Sequence, residues 1–197
     1  MISKTFHGSL AAATLFFLSS SYAPAHVAPP LVLLSEEAAI SAMTAGASKV
    51  SAREVRMTAE QRDQVTRRSG WKPGAKPHRL WLAEDEAGKV VTAVVFVEEF
   101  TIHGPLRVAV ALDPEGKIRD ARVTELTEET YPWLKPLVDR RFLRALAGLD
   151  SQATFTVDDD VRKLPRESMP RFFAEAATDL VRRAAILYEV TMIESAK

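Results

Sequence analysis

The sequence predicts an α+β fold in which an antiparallel meander sheet is flanked by helices and followed by a long C-terminal helix. Four strand-like runs lie close together between Arg79 and Leu126, and only short turns separate them. Short turns join antiparallel neighbours, because parallel strands need a long crossover. Helical patterns lie on both sides of these runs, and the longest of them extends from Met169 to about Ser195. Helices segregated around a meander are typical of the α+β class.

The N-terminus has the pattern of a secretory signal peptide. Lys4 precedes an apolar run from Leu10 to Leu18, and small residues follow at Ala23 and Ala25. The apolar run is shorter than the ~20 residues that cross a bilayer. We therefore predict cleavage near Ala25, a periplasmic or secreted protein, and a single domain over residues 26–197. A retained membrane anchor is the alternative.

The composition excludes several classes of function. The chain has 26 basic and 26 acidic residues, so its formal charge is balanced, and it has no cysteine. A balanced charge does not favour a nucleic-acid partner. Without cysteine there are no disulfides, thiolate metal sites, iron–sulfur clusters or cysteine nucleophiles.

Two helices and a weak strand are predicted before the meander. Ser35 is suited to cap the first helix, and Thr58-Ala59-Glu60-Gln61 has the form of a capping box for the second. In order, this part comprises a Pro-containing lead (His26 to Pro30), a helix (Leu34 to about Met43), an alternating strand (Lys49 to Arg56) and a helix (Thr58 to about Arg68).

The meander itself is predicted from alternation and turns. Asp113-Pro114-Glu115-Gly116 places proline and glycine where a tight turn favours them. The predicted strands are Arg79 to Asp85, Lys89 to Phe100, Pro105 to Leu112 and Lys117 to Leu126.

Three elements are predicted after the meander. Apolar residues at helical spacing indicate one helix from Trp133 to Ala147, ended by Gly148. A short strand-like run follows at Ala153 to Val157. The final helix is expected to bury one broad apolar face that includes Phe172 and Phe173.

The segment from Val157 to Arg171 joins the last strand-like run to the long helix. Ser168 is placed as N-cap, with its hydroxyl accepting a hydrogen bond from a first-turn amide. Pro170 suits an early helical position. A helix start also attracts phosphate, so Ser168 is interpreted either as a simple cap or as part of an anion site. Asp158-Asp159-Asp160 is interpreted as a solvated loop rather than a cation site, and no metal site is predicted.

From about Leu31 onward, the order of elements and several motifs resemble a known family. The matching stretches are Phe100 to Ile118, which holds the turn Ile102-His103-Gly104 and the run Asp113-Pro114-Glu115-Gly116-Lys117-Ile118, and Val123 to Thr130, which ends in Glu129-Thr130. The chain is similar to the periplasmic FMN-binding domain, found in the C subunit of the sodium-pumping quinone reductase, the G subunit of Rnf complexes and NosR.

The resemblance implies where a flavin would attach. The family signature Ser-Gly-Ala-Thr carries FMN as a phosphoester on its last residue, and Ser168 falls on that position. Here Pro165, Arg166 and Glu167 replace Ser-Gly-Ala, and Arg166 or Arg171 is expected to contact the phosphate. The cofactor-binding residues implied by the resemblance are Ser168, Arg166, Glu167, Met169, Arg171, Glu129, Thr130 and His103.

The resemblance therefore implies an exported FMN-binding electron-transfer module, an electron carrier rather than a stand-alone enzyme. Three alternatives are open for the cofactor: FMN is attached covalently, is bound loosely, or is absent. The expected partners are a membrane-bound or periplasmic oxidoreductase and a flavin transferase. The competing hypothesis is a degenerate, cofactor-free member that serves as a periplasmic binding or accessory module.

Overall fold

The computed structural model describes residues 28–196, so the predicted signal peptide lies outside the described residues. The chain folds into a six-stranded antiparallel sheet with five α-helices in this part, which confirms the predicted α+β class. In chain order the elements are β1 (Pro30–Val32), α1 (Glu36–Met43), β2 (Lys49–Val55), α2 (Ala59–Ser69), β3 (His78–Glu84), β4 (Val90–Thr101), β5 (Gly104–Leu112), β6 (Ile118–Thr127), α3 (Tyr131–Asp139), a 3₁₀ helix (Phe142–Leu146), α4 (Asp159–Arg162) and α5 (Met169–Tyr188).

The strands are ordered β1-β6-β5-β4-β3-β2, and every neighbouring pair is antiparallel. The five strands from β2 to β6 are thus a meander, with the boundaries predicted from sequence to within one or two residues. The Pro-containing lead was not predicted to be a strand. Only its last residue, Pro30, belongs to β1, which forms because Pro30, Leu31 and Val32 pair with the end of β6. Three residues carry too little pattern to be recognised alone, and the pairing depends on β6.

Two hairpins of the meander use the same turn. In Asp85-Glu86-Ala87-Gly88-Lys89 the Asp85 carboxylate accepts hydrogen bonds from the amides of Ala87 (3.0 Å) and Lys89 (2.9 Å). In Asp113-Pro114-Glu115-Gly116-Lys117 the Asp113 carboxylate accepts from the amides of Glu115 (3.0 Å) and Lys117 (2.8 Å). Gly88 and Gly116 both have positive φ, at 78° and 87°, which explains the glycine in each turn.

The main core lies between one face of the sheet and α5. Side chains alternate along β4, so that Val95 and Val97 face this core while Val94 faces the opposite side. The α5 residues buried in the core are Phe173, Ala174, Ala177, Leu180, Val181, Ala184, Ala185, Ile186, Leu187 and Tyr188. α5 then continues through a π-helical turn (Glu189–Ile193) and a 3₁₀ turn (Glu194–Ala196).

The opposite face of the sheet is only partly covered. Ala39 and Met43 of α1 pack there on Val94, Ala109 and Ala111. Ser35 caps α1 as predicted, since its hydroxyl accepts from the amide of Ala38 at 3.1 Å.

The predicted helix from Trp133 to Ala147 is wrong in its extent. α3 ends at Asp139, and Phe142–Leu146 is a separate 3₁₀ helix. Arg141 adopts a left-handed conformation (φ 55°, ψ 50°), and a residue in that conformation ends an α-helix. Its guanidinium binds the Asp120 carboxylate at 2.9 and 3.1 Å, a tertiary contact that helical periodicity does not reveal.

The predicted strand from Ala153 to Val157 is also wrong, because this run pairs with no strand of the described sheet. Val157 is buried in the main core, so its apolar character is used for packing. Asp158 caps α4 by accepting from the amide of Val161 at 2.9 Å.

Within residues 28–196, the helices are too short or too polar to span a bilayer.

Candidate functional site

The start of α5 differs from the predicted cap. Ser168 is the N-cap residue, but its hydroxyl donates to the carbonyl of Pro165 (2.7 Å) and accepts no first-turn amide. The first helical hydrogen bond runs from the amide of Phe172 to the carbonyl of Ser168 (3.0 Å). The Ser168 side chain therefore leaves the backbone amides of Met169 and Arg171 uncapped. Pro170, which lies between them, has no backbone N–H group.

This geometry predicts a contrast between two N-cap residues. Thr58 caps α2 with a complete capping box, in which its hydroxyl accepts from the amide of Gln61 at 3.1 Å. Thr58→Ala should lower the free energy of unfolding by about 0.5–2 kcal/mol. Ser168→Ala should change it by no more than ~0.5 kcal/mol, since no cap is lost. Urea denaturation of both variants measures the difference, and equal losses would contradict the uncapped state of α5.

Arg171 holds the segment that leads into α5. Its side chain is largely buried, and Nη1 donates to the carbonyls of Arg162 (3.2 Å) and Leu164 (3.1 Å), while Nε donates to Glu175 (2.8 Å). The expectation that Arg171 itself contacts a phosphate is thus weakened, because this guanidinium already supports the loop.

The remaining predicted residues of this segment divide by exposure. Arg166 and Glu167 are exposed, and Arg166 forms no ion pair within the described residues. Met169 is half-buried and packs against the main core. Arg166 is therefore the cation of this segment that is open to a ligand, and Glu167 is the acid beside it.

His103, Glu129 and Thr130 are brought together by the structure. His103 lies in the turn between β4 and β5, and its Nδ1 is 3.0 Å from Oε1 of Glu129. The Thr127 hydroxyl donates to the carbonyl of His103 (3.0 Å) and lies 2.8 Å from the Thr130 hydroxyl. Thr130 is buried, so its role is to hold this turn, whereas the Glu129 carboxylate is half-exposed.

An aromatic cluster links this group to α5. The His103 ring lies 5.1 Å from the Trp133 ring and 5.9 Å from the Phe173 ring. Trp133 and Phe173 are stacked at 6.0 Å. Phe173 follows Ser168 by five residues, which is about 7.5 Å along a helix axis. The two groups of predicted site residues therefore lie at one end of the molecule.

An exposed apolar patch, formed by Phe100, Ile102 and Phe172, is not predicted by the sequence pattern. The exposed fractions of these side chains are 71%, 81% and 41%. Both phenylalanines are predicted to be buried; the prediction is wrong for Phe172, and Phe173 points inward. A cleft of about 430 Å³ lies beside the patch, between the β4–β5 hairpin and α5. The consecutive phenylalanines were the available signal, since two successive positions of a helix rarely face the same side.

A second aromatic cleft, of about 440 Å³, lies on the opposite face of the sheet. Trp81 is held there by a hydrogen bond from its Nε1 to Glu36 (3.2 Å), and the Arg107 guanidinium lies 4.7 Å from the centre of the Phe96 ring. His78 also lines this cleft, and burial lowers its pKa, which favours the neutral imidazole.

The three consecutive aspartates form a helical turn rather than the expected loop. Asp158 caps α4 and accepts hydrogen bonds from Arg140 at 2.8 and 3.1 Å. Partial burial by itself would raise the pKa of Asp158, but the hydrogen bonds from Arg140 and Val161 outweigh it and lower the pKa. Among residues 28–196, no group of three or more histidine, aspartate and glutamate side chains is arranged to hold a metal ion.

No protein-family model matches the chain, and no curated protein matches it.

Proposed function

We propose that the chain is an exported FMN-binding electron-transfer module in which FMN is held without a covalent bond at the start of α5. The observation that supports this most is the uncapped first turn of α5 beside an exposed apolar patch. FMN combines a phosphate dianion with a flat, mostly apolar ring system, and this end of the molecule offers a complementary feature for each part.

The start of α5 is suited to bind the phosphate of FMN. Uncapped amides at the positive end of a helix dipole bind anions, and the amides of Met169 and Arg171 are of this kind. The exposed Arg166 supplies a cation for a charge-assisted hydrogen bond. Arg171 acts through the loop, because it fixes the carbonyls of Arg162 and Leu164. Glu167 opposes the phosphate charge, so we expect modest affinity.

The exposed apolar patch is suited to bind the ring system of FMN. Phe172 lies on the first turn of α5 and is partly exposed, and Phe100 and Ile102 extend the apolar surface across the β4–β5 hairpin. His103 and Glu129 supply hydrogen-bonding groups at the same end of the molecule. When bound, FMN supplies the capacity to accept and release electrons, while the protein binds and orients it.

Non-covalent binding is favoured over an ester at Ser168. The Ser168 hydroxyl donates to the carbonyl of Pro165, and Pro165, Arg166 and Glu167 stand where the family has small residues. A flavin transferase partner belongs to the covalent alternative. A membrane-bound or periplasmic oxidoreductase is the proposed electron partner in either case.

Titration of three variants with FMN tests where the flavin binds. Arg166→Ala should weaken binding by about tenfold or more, through a lost phosphate contact, and Phe172→Ala by about three- to tenfold, through a lost ring contact. Trp81→Ala is the matched aromatic control, because Trp81 lines the cleft on the opposite face of the sheet. Its FMN affinity should equal that of the wild type.

Three outcomes would revise this proposal. If only Trp81→Ala weakens binding, the flavin occupies the opposite face. If FMN adds its phosphoester mass to the peptide containing Ser168 after co-expression with a flavin transferase, and Ser168→Ala abolishes the addition, attachment is covalent. If FMN binds to no variant and not to the wild type, the cofactor-free accessory module stands instead.

A further inference from the structure

A separate cleft lies at the edge of the sheet where β1 ends. β1 has three residues and β6 has ten, so β1 pairs only with the last part of β6, and the chain leaves the edge after Leu34. The earlier part of β6 is left facing α3 and the 3₁₀ helix. The result is a cleft of about 230 Å³, whose apolar walls are Leu33, Leu34, Val123, Val138, Phe142 and Leu143.

The rim of this cleft carries an excess of positive charge. Arg122 and Arg141 both line the cleft, and both bind the carboxylate of Asp120. Nε of Arg122 lies 2.8 Å from this carboxylate, and Nη2 of Arg141 lies 2.9 Å from it. Two guanidiniums that share one carboxylate leave one positive charge without its counter-ion in this cluster. Both arginine side chains remain partly exposed, so their free N–H groups are within reach of a ligand.

Arg141 occupies its place at a conformational cost. It is the non-glycine residue with positive φ in the described part of the chain, and the left-handed conformation costs an ordinary residue about 1–2 kcal/mol. Glycine would satisfy the backbone better at this position. The presence of arginine at position 141 is therefore explained by its side chain and not by its backbone. Strained residues concentrate at ligand-binding sites, which indicates a binding role for this guanidinium.

We propose that this cleft binds an amphiphile with one unbranched apolar chain and a single carboxylate head. The seven apolar residues that line the cleft, Ala121 among them, take the chain, and the Arg122–Arg141 pair takes the carboxylate. A water molecule occupies ~30 Å³, and a methylene group has a similar volume. A cleft of about 230 Å³ therefore holds about eight such groups. The preferred chain length is thus about eight carbons. This site is independent of the flavin proposal, since it shares no residue with it.

Calorimetric titration with straight-chain carboxylates tests the proposal on the intact protein. Hexanoate, octanoate and dodecanoate serve as probes below their micelle-forming concentrations. From hexanoate to octanoate the affinity should rise about fourfold per methylene, which is ~0.8 kcal/mol of buried CH₂. Dodecanoate should gain nothing further, because the cleft is then full.

The head group is tested with two further probes. 1-Octanol and octylammonium keep the chain but lack the carboxylate, and each should bind at least tenfold more weakly than octanoate. Equal binding of the three would show that the cleft takes apolar chains without regard to the head group, which would overturn the proposal.

Arg141→Gly is the most informative variant, because it removes the guanidinium while suiting the positive φ. Octanoate affinity should fall at least tenfold through loss of a charge-assisted hydrogen bond, while the thermal midpoint stays close to that of the wild type, because the relieved backbone strain offsets the lost ion pair with Asp120 and the added freedom of the unfolded chain. Val138→Phe, which adds a ring to the wall of the cleft, should abolish binding of octanoate but not of FMN. Arg166→Ala is the matched control and should leave octanoate binding unchanged.

Unaltered octanoate affinity in Arg141→Gly, or no saturable binding of octanoate to the wild type, would overturn the proposal. Sedimentation of the wild type with and without octanoate completes the test. A stable dimer that octanoate neither binds nor dissociates would assign the cleft to a second copy of the chain.

Discussion

Replacing Phe173 by alanine should lower the free energy of unfolding by about 3–5 kcal/mol. Phe173 is 1% exposed and lies in the main core against the sheet. Its ring also contacts the rings of Trp133, His103 and Phe172, so the substitution removes contacts on α3, on the β4–β5 turn and within α5. Thermal or urea denaturation measures the loss.

Phe172→Ala provides the matched control one residue earlier on the same helix. Phe172 is 41% exposed, and its ring contributes to the surface patch. We expect a loss of no more than about 1 kcal/mol for this variant. Similar losses for the two substitutions would contradict the orientation of α5 and, with it, the position of the apolar patch.

Gly116→Ala should cost about 2–4 kcal/mol, from the left-handed backbone and from overpacking together. At Gly116 a Cβ atom would lie 3.0 Å from Cδ1 of Ile193, in the segment that follows α5. The turn at Gly116 is thus packed against the C-terminal segment, and an added methyl group requires the Ile193 side chain to shift by a few tenths of an ångström.

Gly88→Ala isolates this packing contribution. Gly88 occupies the equivalent position of the other Asp-x-x-Gly-Lys turn, with a similar φ of 78°, but a Cβ atom there would meet nothing within 4 Å. The loss should be limited to the backbone contribution of about 1–2 kcal/mol. Equal unfolding free energies for the two alanine variants would show that Ile193 does not pack on the turn in solution.

The meander could be predicted from sequence because its signals are local. Alternation along β3 to β6 and the Asp-x-x-Gly-Lys turns specify both the strands and their antiparallel pairing. The capping residues Ser35 and Thr58 behave as predicted for the same reason, since each hydrogen bond spans three residues.

Most of the wrong predictions have a tertiary cause. β1 forms because β6 offers an edge, and α3 ends where Arg141 turns to reach Asp120. Residues 153–157 have strand-like composition but pair with no strand among the described residues. At Ser168 a local alternative acceptor, the carbonyl of Pro165, competes with the cap. In each case the deciding partner is specified elsewhere in the chain or by the geometry of a preceding turn.

The candidate site was predicted in part. His103, Glu129 and Thr130 do lie together, and the start of α5 lies at the same end of the molecule through Phe173. The apolar patch was missed because exposure of Phe100, Ile102 and Phe172 depends on how the hairpin and α5 pack. A hydrophobic residue in a helix or strand is expected to be buried unless the structure shows otherwise.

The central claim is that the start of α5 binds the phosphate of FMN, and parallel titrations with FMN and riboflavin test it most directly. The two ligands share the ring system and differ in the phosphate. We expect saturable binding of one FMN per chain, and riboflavin weaker by about tenfold or more, the value of a charge-assisted hydrogen bond. Equal affinity for the two ligands, or no binding of either, would contradict the claim.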